Sequence, residues 1–308
     1  MFPGYGTIPR CSQVLTGMNR FYVIVAVCSL LTITVSAASS NAPIKRKALL
    51  KGKVTFTNLG KFESSTAGSR QGATIFQNYL FQGHDGAKCD IFDFTSRKLL
   101  KTSRAQPDIA KNHLNTIDFL CDRYYRPADA FPLLYVSENN LSYFITVNRL
   151  TSLEDDFHAV QRIELPSQIG YYLNAVYDTK RGFIYTVCFK NKTWRSAAGN
   201  NCLLVSKLRL PDVGEGNVTL THVIDQFELP FHTATQGAFF SDGLIVHGFG
   251  ININAHDGIV IIDPAKRAIV REIPTHDIFC DEIEGVTAYN GAVIVTLQHG
   301  NVFRVDFK

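Results

Sequence analysis

The chain is short of methionine, tryptophan and charge. Both methionines lie within the first 18 positions, tryptophan occurs once, and only 19% of the 308 residues are Asp, Glu, Lys or Arg. With 45% hydrophobic residues there is ample apolar surface to bury, and nothing repeats at short period, so a disordered chain, a collagen and a coiled coil are excluded. Beyond Lys45-Arg46-Lys47 no polybasic patch follows residue 37. That argues against nucleic acid as a partner, because phosphate binding needs clustered cations. Gly-x-Ser-x-Gly, a phosphate-binding glycine loop and His-Glu-x-x-His are missing too, which removes the usual support for a serine hydrolase, a nucleotide enzyme or a zinc protease. No cofactor is called for. After residue 37 five cysteines remain (Cys89, Cys121, Cys188, Cys202 and Cys280), an odd number that cannot complete a disulfide framework. Cys188 and Cys202 flank a polar insertion and either bridge it or stay as buried thiols.

What is present begins with Met18-Asn19-Arg20, an apolar run from Phe21 to Ala38, and the small-residue exit Val35-Ser36-Ala37. This is the layout of a secretory signal cleaved after Ala37. A run of this length also suits a signal anchor, but the small-residue exit favours cleavage, with either Met1 or Met18 as the start. The expectation is an exported protein of the periplasm, cell surface or extracellular space, with no membrane span once the signal is gone. Its divisions are 1–37 as extension and signal peptide, 38–49 as linker and 50–308 as a single domain. Cleavage lowers the net charge from +4 to +2, since it removes Arg10 and Arg20 and no acid.

Within that domain a repeat emerges. Gln71-Gly72-Ala73-Thr74-Ile75-Phe76 is echoed by Gln236-Gly237-Ala238-Phe239-Phe240 and by Glu284-Gly285-Val286-Thr287-Ala288, each followed by a turn signal at Asn78, Gly243 or Gly291. Looser copies start at Asn115 and Asn174. Each continues through further short strands rich in Val, Ile, Phe and Tyr, and a polar edge strand such as Thr221–Leu229 or Ala268–Ile273 closes most copies. The starts are spaced by 44, 59, 62 and 48 residues. Four-stranded units at that period describe an all-β fold, a β-propeller. Five blades is the count, six if one of the two longer intervals conceals another. The last copy runs out after three strands, so Val54-Thr55-Phe56-Thr57 is expected to pair with it and close the ring. The only helical stretch foreseen is a turn or two within Ser152–Val160.

Two strand corners, Ile261-Ile262-Asp263-Pro264-Ala265-Lys266-Arg267-Ala268 and Phe92-Asp93-Phe94-Thr95-Ser96-Arg97-Lys98-Leu99, resemble those of secreted bacterial propellers of the NHL and YVTN type. The chain is similar in pattern to exported Bacteroidetes-type propeller proteins without assigned activity. The resemblance implies the blade fold and carries no catalytic residue across.

Propellers usually meet ligands on the face formed by loops entering each first strand and joining second to third strands, an analogy at the level of fold. Here that face gathers Gln71, His113, Asn115, Tyr171, Tyr172, Asn174, Gln236 and Glu284 as candidate ligand-binding residues. His84, Asp85, Glu138, Trp194, His232, His256, Asp257, Asp281, Glu282 and His299 lie nearby. Ring faces and directional hydrogen-bonding groups suit a glycan-like or other polar small molecule, or a protein partner. The same amides could instead satisfy backbone groups around a narrow channel. The alternative function is an extracytoplasmic glycan-active hydrolase or lyase with Glu284, Asp281 and His113 as acid, base or metal ligand; Asp118 is a further carboxylate for a glycosidase pair. His84, His256 and His299 are the weak metal candidates, because Asp-Gly beside the first two is also hairpin chemistry. The inserts Asp122–Pro132 and Lys190–Asn201 depart from the blade template and are expected to carry recognition.

Overall fold

The computed structural model describes residues 43–106, 112–137, 143–192, 202–230, 234–250, 258–279 and 281–308. Signal residues 1–37 and the candidates Glu138, Trp194, His232, His256, Asp257 and Cys280 lie outside them. The strands belong to one compact unit, Ala37–Lys308, and form five antiparallel sheets arranged as a ring.

Blade 1 is β2 (Arg70–Phe76), β3 (Tyr79–His84), β4 (Lys88–Asp93) and β5 (Leu99–Arg104). Blade 2 is β6 (Thr116–Leu120), β7 (Leu133–Ser137), β8 (Phe144–Arg149) and β9 (His158–Glu164). Blade 3 comprises β10 (Tyr171–Asp178), β11 (Phe183–Phe189), β12 (Cys202–Arg209) and β14 (Asp225–Pro230), with β13 (Val218–Thr219) between the last two in sequence. Blade 4 is β15 (Thr235–Ser241), β16 (Leu244–Phe249), β17 (Gly258–Asp263) and β18 (Ala268–Pro274). Blade 5 has β19 (Ile283–Tyr289), β20 (Ala292–Leu297) and β21 (Asn301–Phe307), completed by β1 (Val54–Lys61). β1 runs antiparallel to β21, Val54 opposite Phe307. Five blades and closure by an N-terminal strand are therefore the architecture.

Second and third strands such as β16, β17 and β20 are buried along their whole length, whereas the outer strands β5 and β14 alternate. This follows from the stacking, since a middle strand is covered on both faces by neighbouring blades. The apolar interior accordingly divides into five clusters, one at each seam between blades. Two of the three foreseen hairpins take paired left-handed torsions, Asp242 at φ 45° before Gly243 at 80° and Asn290 at 46° before Gly291 at 71°, whereas at Asn78 it is the preceding Gln77 that is left-handed, at φ 54°. The paired form is the one that matches the strand twist in a two-residue turn. The two corner motifs are also equivalent in space: Arg97 and Arg267 are left-handed, and Asp93 and Asp263 accept from the backbone of Ser96 and Ala265.

Three local expectations change. The edge strand expected over 221–229 is β14, which starts only at Asp225; β13, before it, leaves blade 3 and adds in parallel to β9 of blade 2. Ser152–Val160 holds bends and the start of β9 instead of helix, because Phe157 is drawn into the seam between blades 1 and 2. Among the described residues the α-helix that does form is α1 (Arg46–Lys51), in and just after the stretch read as linker; Ile44 and Leu49 are buried against blades 4 and 5. Cys188 and Cys202 are free thiols. Cys188 sits opposite Leu204, while Cys202 pairs through its backbone with Lys190, so the two are diagonal in the sheet and not facing.

Candidate functional site

The repeated glycines explain how close the inner strands come. A Cβ on Gly72 would lie 2.7 Å from the Asn115 carbonyl oxygen, one on Gly237 2.5 Å from the Val286 nitrogen, and one on Gly285 2.6 Å from the Ala73 Cβ. At these seams backbone meets backbone, and Gly72 N–H donates to Leu114 O at 3.0 Å. The two looser copies have Thr116 and Ala175 at the glycine position, and there side chains do the joining. Asn115 Nδ2 donates to Asn174 Oδ1 at 2.7 Å and Leu173 O at 3.2 Å, and Ala175 N–H donates to Thr116 Oγ1 at 3.1 Å.

This packing brings Gln71, Asn115, Asn174, Gln236 and Glu284 to one end of the ring, all buried. Asn115 is engaged between blades. Gln236 Nε2 donates to Glu282 Oε1, and Gln82 Nε2, on β3, donates to the Gln71 carbonyl at 2.6 Å. Among the buried polar atoms at this end that lack a partner are Gln82 Oε1 and Asn174 Nδ2.

Above Glu284, blades 1 and 5 contribute a ring of acids and histidines. His113 Nδ1 pairs with Asp85 Oδ1, His299 Nδ1 with Asp281 Oδ1 at 2.8 Å, and His299 N–H donates to Asp281 Oδ2 at 2.6 Å. Ser69 connects the two blades: its N–H donates to Asp85 at 3.3 Å and its Oγ accepts from Gln298 Nε2 at 3.1 Å. Burial pushes the Glu284 carboxyl well above its ordinary value, the charges of Glu282, Asp85 and Asp281 push the same way, and Ser69 opposes them only in part. Asp85 goes the other way. Burial works against its charge, but the hydrogen bond and charge of His113, with Ser69 and His84, hold it below the usual carboxylate range. One mouth therefore combines two neighbouring carboxyls whose surroundings push their acidities in opposite directions, Glu284 up and Asp85 down.

Of the acid–base candidates, Glu284, Asp281 and His113 are thus brought together, His113 through Asp85. Asp118 is not among them, since it faces the opposite end of the ring. Tyr171 and Tyr172 start β10 on blade 3, which adjoins neither blade 1 nor blade 5; Tyr171 is exposed beside Tyr143, and Tyr172 stands edge-on to Phe189 at 6.0 Å. His84 Nε2 is buried 2.9 Å from Asp90 Oδ2. Asp90 is held below the ordinary range because hydrogen bonds from His84, Ser64, Thr102 and Thr66 outweigh its burial. Among the described residues no three His, Cys, Asp or Glu side chains are grouped to hold a metal ion. Ser69, Gln82 and Gln298 escaped sequence reading, because nothing local distinguishes them from ordinary strand-end polar residues. The insert Asp122–Pro132 is anchored by buried Phe131 and lines a cleft of about 740 Å³ with Asp212 and Gly214, away from the acid mouth.

These features define a five-bladed β-propeller with an acidic, histidine-bearing mouth. No family profile and no curated protein matches the chain. Among solved structures, the crystal structure of Myxococcus xanthus glutaminyl cyclase is similar over 82% of this chain and 97% of that one, with a TM-score of 0.52 and 11% identity. At that identity the likeness is one of fold.

Proposed function

We propose that the chain is an exported binding module whose mouth recognises a polar, hydroxyl-rich ligand such as a glycan. What supports this reading is the split in acidity at a histidine-braced mouth: Asp85, paired with His113, is held below the ordinary carboxylate range and favours accepting hydrogen bonds, while the buried Glu284 is pushed above it and favours its donor form. The histidine partners fix the orientation of the two outer carboxylates, and the unpartnered Gln82 Oε1 and Asn174 Nδ2 add an acceptor and a donor at the same end. Export rests on the N-terminal signal pattern, and fractionation with N-terminal sequencing is expected to find a mature chain beginning at Ala38.

A second reading is favoured by the same split. A buried carboxyl pushed upward beside one held down is what a general acid requires, so Glu284 would serve an enzyme equally well. The structural neighbour, named a glutaminyl cyclase, suggests one substrate class for that arm, glutaminyl compounds; glycans supply the other.

Glycan arrays and glutaminyl peptides offered to the purified protein separate the readings. Saturable glycan binding, weakened about tenfold or more by Asp85→Asn and without product, supports the module. Product formation abolished by Glu284→Gln in a folded variant transfers the assignment to the enzyme. Absence of both binding and turnover overturns the site.

A further inference from the structure

At the end of the ring opposite the acid mouth the inner strands diverge around a cavity of about 170 Å³. Its walls are Asp118 and Leu120 of β6, Tyr177 of β10, Phe239 and Ser241 of β15 and Thr287 of β19, and Pro43 of the N-terminal segment stands at its rim. Blade 1 contributes through Thr74, whose hydroxyl donates to Asp118 Oδ1 at 3.3 Å. All five blades therefore converge on Asp118. The cavity shares Pro43, Tyr177, Phe240 and Ser241 with a wider open groove, which gives it a route to solvent.

We propose that this cavity is a second binding site, for a small organic cation of the primary alkylammonium class, with Asp118 as counter-ion and the Tyr177 hydroxyl as an additional hydrogen-bonding partner. Three observations converge. Among the described residues no basic side chain lines the cavity, so the carboxyl has no cation of its own. The Tyr177 hydroxyl is buried without a hydrogen-bond partner, and it lies near enough to feel the Asp118 charge. A buried polar group left unpaired costs free energy, so a ligand that engages it gains what the empty site lacks. Phe119, Leu120, Phe239 and Phe240 give the wall an apolar part, which suits a short alkyl chain. The volume sets the size at a handful of heavy atoms, below that of ordinary drug-sized pockets.

Asp118 is half-exposed by the measure of its surface because it looks into the cavity. Protein surrounds it nonetheless, and burial raises its carboxyl to about 7. Near neutrality it is poised to give up its proton when a cation arrives. The groove outside holds Arg46, Lys180 and Arg181, of which Arg46 pairs with Asp263 and Arg181 with Asp178, and none of the three lines the cavity itself.

The test is calorimetric titration of the full chain with n-butylammonium and, as a neutral control of similar shape, n-butanol. Saturable binding of the ammonium is expected, with n-butanol binding at least about tenfold more weakly. Asp118→Asn should cut ammonium affinity by about tenfold or more while leaving the butanol response unchanged, and Tyr177→Phe, which removes an unpartnered hydroxyl and preserves the ring, should cut it by about threefold or more. Glu284→Gln at the other mouth should leave it untouched. The proposal is overturned by an absence of saturation up to about 50 mM, by equal binding of the alcohol, or by wild-type affinity in either folded variant of the site. Should Asp118→Asn fail to fold, Tyr177→Phe and the alcohol control decide the matter.

Discussion

At Gly285 a side chain would stand 2.5 Å from the Thr296 hydroxyl and 2.8 Å from the Ala73 backbone nitrogen, while at Gly291 nothing lies within 4 Å. The two glycines thus serve different ends, the first close packing of blade 5 on blade 1, the second a left-handed turn at φ 71°. Gly285→Ala is expected to cost about 2–4 kcal/mol, as overpacking against backbone does, and Gly291→Ala about 1 kcal/mol, the usual penalty of a left-handed alanine. Chemical denaturation of the two variants checks the ranking, and equal costs would show that the seam can open to admit a methyl group. Both glycines were visible in the sequence as one repeated pattern. Only the neighbouring blade reveals that they answer to different forces.

At the scale of elements, the N-terminal segment fastens the ring twice. β1 completes blade 5 as its outer strand, and α1 covers the seam with blade 4, where Arg271 donates to Leu49 O and Gly52 O at 2.8 Å. Arg46 pairs with Asp263, whose side chain is fully buried, and its N–H donates to Asp242 Oδ2 at 2.6 Å. Removing the guanidinium leaves a buried carboxylate with only the Ala265 N–H as a described partner. Arg46→Ala is therefore expected to cost about 2–3 kcal/mol, whereas Lys190→Ala, which breaks an exposed pair with Glu228, should cost under about 0.5 kcal/mol. Urea midpoints measure both. The pairing of β1 was legible because the last repeat unit lacked a strand and Val54–Thr57 had no other partner. Helix α1 was not, since six residues carry too little periodicity to announce a helix and its burial depends on blades more than two hundred residues away in the chain.

The ring as a whole should lose stability on acidification. His247 is buried against Phe249, with ring centroids 4.3 Å apart, and burial pushes it down to about 3. A histidine depressed in the native state contributes stability that is complete above its unfolded value of about 6.5 and is lost as pH falls toward 3. Asp90, held below the ordinary carboxylate range, adds a further loss below about pH 4. Unfolding free energy should thus fall by a few kcal/mol, on the order of 2–4, between pH 6.5 and pH 3. In His247→Asn the part of that slope above pH 4 should flatten, and an unchanged slope there would place the acid sensitivity elsewhere.

The sequence by itself determined the repeat, its period and its turns, because strands that alternate with Asn-Gly and Asp-Gly connections are set by local torsions and hydropathy. It also fixed which end of each first strand is polar. Tertiary structure decided what those polar residues meet. Asn115 and Asn174 bond across a seam that lacks glycine, Asp85 and Asp281 acquire histidines from other segments, and the Glu284 carboxyl is pushed upward by burial and then by three acids from two blades. It also moved Asp118, which the sequence set beside Glu284 as a carboxylate of equal standing, to the far end of the ring. The physical reason is the same throughout: torsions and hydropathy act between neighbours in the chain, whereas protonation and hydrogen bonding depend on groups brought near by the closure of the ring.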